Sequence, residues 1–169
     1  PDIIALTLYV WSRNNLLNLA TELRSKPENK NLICIAGGPE VTADAAAIQA
    51  HPHVHLAVAG EGEEAVAAII SALLPHSPDR RIIELASLPS PLFAPPVKEL
   101  DSLSSPWNAL ALEGREFEDT VWELTRGCPF SCHFCYESRG SGGVRHKSLE
   151  RVKLELDQIL KRGADKVFI

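Results

Sequence analysis

The sequence predicts an α/β fold, in which a parallel sheet is covered by helices on both faces and a further strand–helix–strand unit follows. Three observations predict this fold. Apolar runs alternate with helical patterns through the first half of the chain, prolines crowd its middle, and the strand–helix–strand order returns over residues 119–169.

In the first half, continuous apolar runs rich in β-branched residues predict buried strands, and apolar residues at helical spacing predict the helices between them. Ser12 and Thr42 stand where the N-caps of the first two helices are expected. The predicted strands cover residues 3–10, 32–36 and 54–59. The first predicted helix follows Ser12 and has an apolar stripe from Leu16 to Leu23, and the next two helices cover residues 43–50 and 63–74.

This alternation is typical of a Rossmann-like (flavodoxin-like) parallel sheet, which we predict over residues 1–76. Sheets of this kind bind ligands at the carboxyl ends of their strands. The loops in that position are residues 9–13, 37–40 and 60–63.

The middle of the chain, residues 77–118, is predicted to be a proline-rich connector. Seven of the twelve prolines fall between residues 75 and 106. Such spacing interrupts regular elements and favours a semi-rigid segment. Residues 81–85 are predicted to add a short strand to it.

The final segment, residues 119–169, is predicted to be one βαβ unit, with a strand over 119–125 and another beginning at 166. Ser148 is the predicted N-cap of the intervening helix, and Gly163 is predicted to end it. The predicted apolar face of this helix consists of Leu149, Val152, Leu156, Ile159 and Leu160.

A cysteine-rich run, Arg126-Gly127-Cys128-Pro129-Phe130-Ser131-Cys132-His133-Phe134-Cys135, follows the strand over 119–125. Thiolates usually hold all four irons of a [4Fe–4S] cluster. This run offers three, which leaves one iron open for a small ligand, as a catalytic cluster requires. The alternative is a zinc site that uses the same cysteines and His133. The remaining cysteine, Cys34, lies in an apolar run and is predicted to be a buried strand residue.

Composition narrows the class of protein. A net charge of −5 and a pI near 5.7 disfavour a broad nucleic-acid interface, and no apolar run reaches the length of a membrane span. Closely spaced cysteines without a secretory signal favour metal ligation in a reducing, cytoplasmic compartment. Because the chain begins and ends abruptly at apolar runs, we expect a fragment of a longer enzyme.

The cysteine run resembles the signature of the radical S-adenosylmethionine (SAM) superfamily, with C-x3-C-x2-C spacing and an aromatic residue before the third cysteine. The resemblance implies that Cys128, Cys132 and Cys135 hold a [4Fe–4S] cluster and that Phe134 lies near the adenine of SAM. It further implies a partial TIM-type barrel, reductive cleavage of SAM to a 5′-deoxyadenosyl radical, and a flavodoxin- or ferredoxin-type electron donor.

The first half resembles the cobalamin (B12) binding domains that precede such barrels. Thr7-Leu8-Tyr9 and Gly37-Gly38 match two family stretches, although Tyr9 replaces the usual Leu, and a Gly-Glu-Gly-Glu run spans residues 60–63. The Asp-x-His-x-x-Gly stretch that supplies an axial histidine to cobalt does not occur in the chain. The resemblance implies cobalamin contacts for Thr7, Gly37, Gly38, Gly60 and Gly62. Ordinary βα turns explain the same glycines.

Together the resemblances imply a B12-dependent radical SAM enzyme, with methyl transfer to an unactivated carbon of a small-molecule or peptide substrate as one outcome. Two alternatives stay open: a radical SAM enzyme whose first domain binds no cobalamin, and a structural metal-binding module. A basic patch follows the cysteine run and consists of Arg139, Arg145, Lys147 and Arg151. Such a patch is typical of a surface that faces an acidic electron donor or the SAM carboxylate, and equally of an ordinary solvated surface.

Overall fold

The structure is a computed structural model that describes residues 2–108, 114–116, 118–130, 132–133, 135 and 143–169. It divides the chain into two compact units, Pro1–Pro96 and Val97–Ile169. No helix among the described residues is both long enough and apolar enough to cross a membrane.

The first unit contains a four-stranded parallel sheet, which confirms the predicted arrangement. Its strands follow one another across the sheet in chain order, and Thr7 pairs with Gly37 at the carboxyl ends of the first two. The strands are β1 (Ile3–Thr7), β2 (Ile33–Gly37), β3 (Leu56–Gly60) and β4 (Leu92–Ala94).

Helices cover both faces of this sheet, as predicted. One face packs against the first three helices through an apolar cluster that includes Cys34 and Ala57, and the other packs against the last two through Ile35 and Val58. These side chains alternate along β2 and β3, as they must in a sheet buried on both faces. The helices are α1 (Arg13–Ser25), α2 (Pro39–Ala43), α3 (Ala45–Gln49), α4 (Gly62–Leu73) and α5 (Pro78–Ala86), and a 3-10 turn spans Pro27–Asn29.

The predicted helix over 43–50 forms as α3 (Ala45–Gln49), but its predicted N-cap, Thr42, is wrong, because a separate short helix, α2, precedes it and the two helices meet at Asp44. The backbone of Asp44 is non-helical, and its carboxylate accepts a hydrogen bond from the Ala47 amide at 3.1 Å. Asp44 therefore caps the second short helix in place of Thr42. Ser12 does precede α1, but its hydroxyl accepts from the Tyr9 amide rather than capping the helix.

The predicted strand over residues 81–85 is also wrong, because these residues lie in helix α5. Pro78 occupies the first turn, where its missing N–H is not needed. Ile82 and Leu85, three residues apart, pack on the sheet, and the Arg81 guanidinium donates to the Leu73 carbonyl at 3.0 Å. Much of the proline-rich segment thus belongs to the first unit, whose boundary lies at Pro96.

The second unit contains the predicted βαβ arrangement. Its parallel pair joins β5 (Asp119–Val121) to β8 (Lys166–Phe168) through helix α6 (Leu149–Lys161). The Ser148 hydroxyl caps α6 by accepting from the Arg151 amide at 3.1 Å, and Gly163 follows the helix with a φ of 78°. Short 3-10 turns span Leu100–Ser102 and Pro106–Asn108.

Two features of the second unit differ from prediction. The strand expected over 119–125 is interrupted, and its end forms β6 (Thr125–Arg126), which pairs with β7 (Arg145–His146) in antiparallel register. The predicted apolar face of α6 is only partly buried, since Leu149 and Leu160 are 67% and 56% exposed. The fully buried α6 positions are Ile159 and the unexpected Glu155.

Candidate functional site

The first candidate site lies where β1, β2 and β3 end on one edge of the sheet, as predicted. Here the chain is held by backbone hydrogen bonds. The Leu8 amide donates to the Gly37 carbonyl at 2.8 Å, and the Leu8 carbonyl accepts from the Glu40 amide at 3.1 Å. Leu8 is fully buried, whereas Thr7 and Tyr9 on either side of it are exposed. Thr7 and Tyr9 therefore present their side chains at the ligand-binding edge.

Two of the four predicted glycines have a role within the fold itself. Gly38 and Gly60 adopt φ angles of 97° and 92°, which strongly favour glycine. A Cβ at Gly60 would lie 2.2 Å from the Ala94 carbonyl oxygen, and one at Gly38 would lie 2.9 Å from that of Leu8. Gly37 and Gly62 have only ordinary neighbours at 3.6 Å or more.

Thr42 joins the two glycine loops, a role that the sequence did not reveal. Its hydroxyl donates to the Gly38 carbonyl at 3.2 Å and accepts from the Gly60 amide at 2.9 Å. One side chain thus sets the spacing between the ends of β2 and β3. A threonine just past a Gly-Gly-Pro turn is the only sequence signal for this bridge, and an N-cap role explained it equally well.

Two aromatic residues border the same edge. Tyr9 and Trp11 stack with ring centroids 4.8 Å apart and planes 9° from parallel, and Trp11 is 76% exposed. Stacked rings offer a broad apolar surface to a ligand with a flat face. An edge that combines this pair with side-chain-free glycine backbone fits a large planar cofactor such as a corrin.

The second candidate site is the cysteine loop, defined as residues 127–144. Its two ends are held together by the β6–β7 pair and by a hydrogen bond from the Lys147 amide to the Leu124 carbonyl at 3.0 Å. Gly127 opens the loop with a φ of 92°. The loop is therefore closed at its base by backbone pairing.

Within the loop, Cys132 is exposed and Cys128 and Cys135 are half-buried. The Cys135 amide donates to the Cys132 carbonyl at 3.1 Å, which forms a tight turn between these two cysteines. Phe134 lies outside the described residues. Among the residues that are described, no three His, Cys, Asp or Glu side chains come close enough together to hold a metal ion.

The donor set nevertheless fits an iron–sulfur cluster. All four cysteines belong to the described part of the chain, and none of them forms a disulfide. Three accessible thiols on one closed loop match the number of protein ligands for a cluster with an open iron. Cys34, by contrast, is fully buried in β2, where burial raises the pKa of its thiol and Arg24 partly offsets that rise. It is the core residue that the sequence predicted.

A buried ionic network lies beneath the cysteine loop. Glu155 of α6 is 1% exposed, and its Oε2 accepts from the Trp122 indole N–H at 2.8 Å and from Lys147 Nζ at 2.7 Å. Its Oε1 accepts from Arg151 Nε at 2.8 Å. Burial alone would raise the pKa of Glu155, but hydrogen bonds from Lys147, Trp122 and Arg151 lower it to about 2.

The predicted basic patch is therefore not a continuous solvated surface. Lys147 and Arg151 are directed at Glu155, and Arg151 also donates to the Leu103 carbonyl at 2.6 Å. The Arg145 guanidinium binds the carbonyl of Val97. The fourth member, Arg139, lies outside the described residues.

Comparison with known families assigns both parts of the chain. Residues 1–70 match the B12 binding domain family, and residues 122–169 match the Radical SAM superfamily. The first match covers the parallel sheet through β3 and most of α4, and the second covers the cysteine loop, α6 and β8.

Several known proteins align with nearly the whole chain. The chain is similar to a cobalamin-dependent radical SAM methyltransferase, TokK, of Streptomyces tokunonensis and to a 2-(S-pantetheinyl)-carbapenam-3-carboxylate methyltransferase of Streptantibioticus cattleyicolor. Each is 27% identical over 185 aligned positions, which cover all of this chain and 27% of the relative. An anaerobic magnesium-protoporphyrin IX monomethyl ester cyclase of Rubrivivax gelatinosus is 23% identical, over 96% of this chain and 32% of the relative.

The chain thus spans about a quarter to a third of the length of these relatives. Its two family matches imply cobalamin, a [4Fe–4S] cluster and SAM as cofactors. Residues 1–70 are thus similar to a B12 binding domain and residues 122–169 to the Radical SAM superfamily, and a cobalamin-dependent radical SAM methyltransferase aligns with the whole chain.

Proposed function

We propose that the full-length protein is a B12-dependent radical SAM enzyme that transfers a methyl group to an unactivated carbon. The observation that carries the proposal is that this chain matches both families and aligns over its whole length with two methyltransferases, one of them named a cobalamin-dependent radical SAM enzyme. The described geometry supports it, since the glycine loops follow strands of the parallel sheet and the cysteine loop follows β6.

The bound cofactors supply a reductively generated 5′-deoxyadenosyl radical and a transferable methyl group, and the protein holds and shields them. Cys128, Cys132 and Cys135 are the proposed cluster ligands, and Phe134 is the proposed contact to the adenine of SAM. Thr7, Gly37, Gly38, Gly60 and Gly62 are the proposed cobalamin contacts. Tyr9 and Trp11 are proposed to cover one face of the corrin, where their exposed stack borders the sheet edge.

The proposal also covers the substrate, the electron donor, the cellular location and the complete barrel of the enzyme. Its substrate is a small molecule or a peptide, its electron comes from a flavodoxin- or ferredoxin-type donor, and it acts in the cytoplasm. Further strands and helices beyond β8 complete a TIM-type barrel. The cysteines that would hold the cluster would then lie at the mouth of that barrel, because barrel chemistry lies at the carboxyl ends of the strands.

The experiment that tests the proposal is anaerobic reconstitution of the full-length protein with iron, sulfide and cobalamin. Iron, sulfide and cobalt per chain are measured, and EPR spectra of the reduced cluster are recorded with and without SAM. We expect a cluster signal that changes when SAM is added, one cobalamin per chain, and 5′-deoxyadenosine among the products.

The other outcomes separate the alternatives. A SAM-responsive cluster without cobalamin uptake would leave a radical SAM enzyme and exclude cobalamin dependence. Retention of zinc in place of a cluster, with no response to SAM, would replace the proposal with a structural metal-binding module that uses the same cysteines and His133.

A further inference from the structure

We propose that Glu155 is a positioning residue that clamps the two ends of the cysteine loop and so governs how firmly the cluster is held. The inference rests on the proposed function, because it assigns the loop to a cluster. Its basis is that one oxygen of the buried carboxylate, Glu155 Oε2, accepts hydrogen bonds from Trp122 before the loop and from Lys147 after it.

The two partners of Oε2 lie close to the loop on both sides. Trp122 precedes β6, where the chain enters the loop, and Lys147 follows β7 directly, where the chain leaves it. Glu155 itself lies on α6, outside the cysteine loop and outside both strands that close it. The β6–β7 pair is only two residues long on each strand, so its ladder alone resists separation weakly. The carboxylate adds a second, charge-assisted connection below that ladder.

The helix that carries Glu155 is itself fixed in place. Arg151 binds Glu155 Oε1 at 2.8 Å and also reaches the carbonyls of Asp101 and Leu103. The Ser148 amide donates to the Asp101 carboxylate at 3.0 Å. These bonds tie the first half of α6 to the 3-10 segment before β5. The clamp therefore holds the loop ends against a fixed element.

Packing alone does not explain a glutamate at this position. Glu155 lies beside Leu156 and one turn before Ile159 on the face of α6 that packs against Trp107 and Trp122. A leucine or methionine there would continue the apolar core but would leave Lys147 and Arg151 without their counter-charge. A carboxylate at this position has the distinct property of binding Trp122 and Lys147 at the same time.

Loss of the carboxylate charge is expected to loosen one end of the loop. In a Glu155→Gln variant, Lys147 and Arg151 lose their buried counter-charge, and the Lys147 side chain, which is 9% exposed, gains by moving into water. That movement pulls on the segment directly after β7. Residues that orient metal ligands from outside the coordination sphere typically change metal affinity by roughly ten- to a hundredfold.

The test uses the reconstituted full-length protein and measures the rate at which a ferrous chelator removes iron under anaerobic conditions. We expect Glu155→Gln to release iron roughly tenfold faster than wild type, the lower end of the range for such supporting residues. Asp157→Asn removes an exposed carboxylate from the same helix and is expected to release iron at the wild-type rate. Far-UV circular dichroism of the whole protein measures its folding and should match in all variants, whereas bound cobalamin per chain reports only on the first unit.

A rescue variant distinguishes the clamp from general stability. Glu155→Gln combined with Lys147→Met removes the unbalanced cation and keeps an unbranched side chain in its place, so iron release should slow toward the wild-type rate. Unchanged iron release in Glu155→Gln, with only a lower unfolding temperature, would overturn the positioning role. If Glu155→Gln fails to fold, the Trp122→Phe variant tests the positioning role instead. It deletes one hydrogen-bond donor to the Glu155 carboxylate and should still accelerate iron release.

Failure of the proposed function would look different. Wild-type protein that assembles no cluster would overturn the enzyme proposal together with this role for Glu155. A stable wild-type cluster whose iron release is unaffected in Glu155→Gln and Trp122→Phe would overturn the clamp alone.

Discussion

The two units support their proposed cofactor loops in different ways. In the first unit, strands β2 and β3 are buried along nearly their whole length, and backbone hydrogen bonds with positive-φ glycines set the loops. In the second unit, β5 and β8 are largely exposed, and a buried carboxylate lies beneath the loop. The first arrangement is carried mainly by the backbone, whereas the second adds charge-assisted bonds from Lys147 and Arg151 to Glu155.

The largest expected effect comes from the cysteine loop itself. Cys132→Ala removes one of three proposed ligands, so we expect iron content after reconstitution to fall to background while cobalamin content stays at the wild-type level. Cys34→Ala is the matched control, because it removes a thiol from the core of the first unit. It should leave iron content unchanged and cost about 1 kcal/mol of unfolding free energy. Wild-type iron content in Cys132→Ala would exclude Cys132 as a ligand.

The next effect tests the backbone of the first unit. Gly60→Ala places a Cβ 2.2 Å from the Ala94 carbonyl and forces a positive φ on alanine. We expect a loss of about 4 kcal/mol of unfolding free energy, because the cost of the strained backbone and the cost of overpacking add together. Gly62→Ala, whose new Cβ meets only Val66 at 3.6 Å in a helix, should be neutral or stabilising in the same urea titration. Equal effects of the two substitutions would show that the β4 contact does not form.

The third effect tests the charge dependence of the second unit. The pKa of Glu155 is about 2, below its ordinary value of 4.5, so the folded state binds this proton more weakly than the unfolded chain does. Its stabilisation is complete above pH 5, at about 3 kcal/mol, and is lost as the pH falls from 4.5 toward 2. Urea unfolding of wild type and Glu155→Gln should therefore differ at pH 6 and converge near pH 2. A gap independent of pH would contradict the ionised network.

The smallest effect concerns the aromatic stack. Trp11→Ala should weaken cobalamin binding roughly fivefold, the value of one aromatic contact, as measured by titration of the cofactor-free protein. Because Trp11 is largely exposed, the unfolding free energy should change by less than about 0.5 kcal/mol. Trp11→Phe keeps an aromatic ring and should retain most of the affinity. Equal affinity of all three proteins would place the corrin away from the stack.

The parallel sheet and the cysteine loop were predictable because their signals are local. Buried strands appear as continuous apolar runs, and the cysteine spacing is itself a pattern. Thr42 and Glu155 were not predictable, since each takes its role from partners distant in sequence. Thr42 binds the Gly60 amide, and Glu155 binds a tryptophan that lies 33 positions earlier. From the sequence alone, a glutamate on a helix is expected to face solvent, because its buried partners cannot be identified.

The error at residues 81–85 has a different cause. The prediction treats prolines as breaks in regular structure, although Pro78 is well suited to the first turn of a helix. The apolar spacing of Ile82 and Leu85 is helical, but the run is too short for periodicity to decide between helix and strand. Contact with the sheet settles the choice in favour of a helix.

Closure of the cysteine loop by β6 and β7 has a consequence for how the protein matures. Because the strands meet before and after residues 127–144, the chain entropy of bringing the loop ends together is lost when the polypeptide folds. Delivery of iron and sulfide then starts from loop ends that are already paired, so cluster binding does not bear the entropic cost of bringing them together.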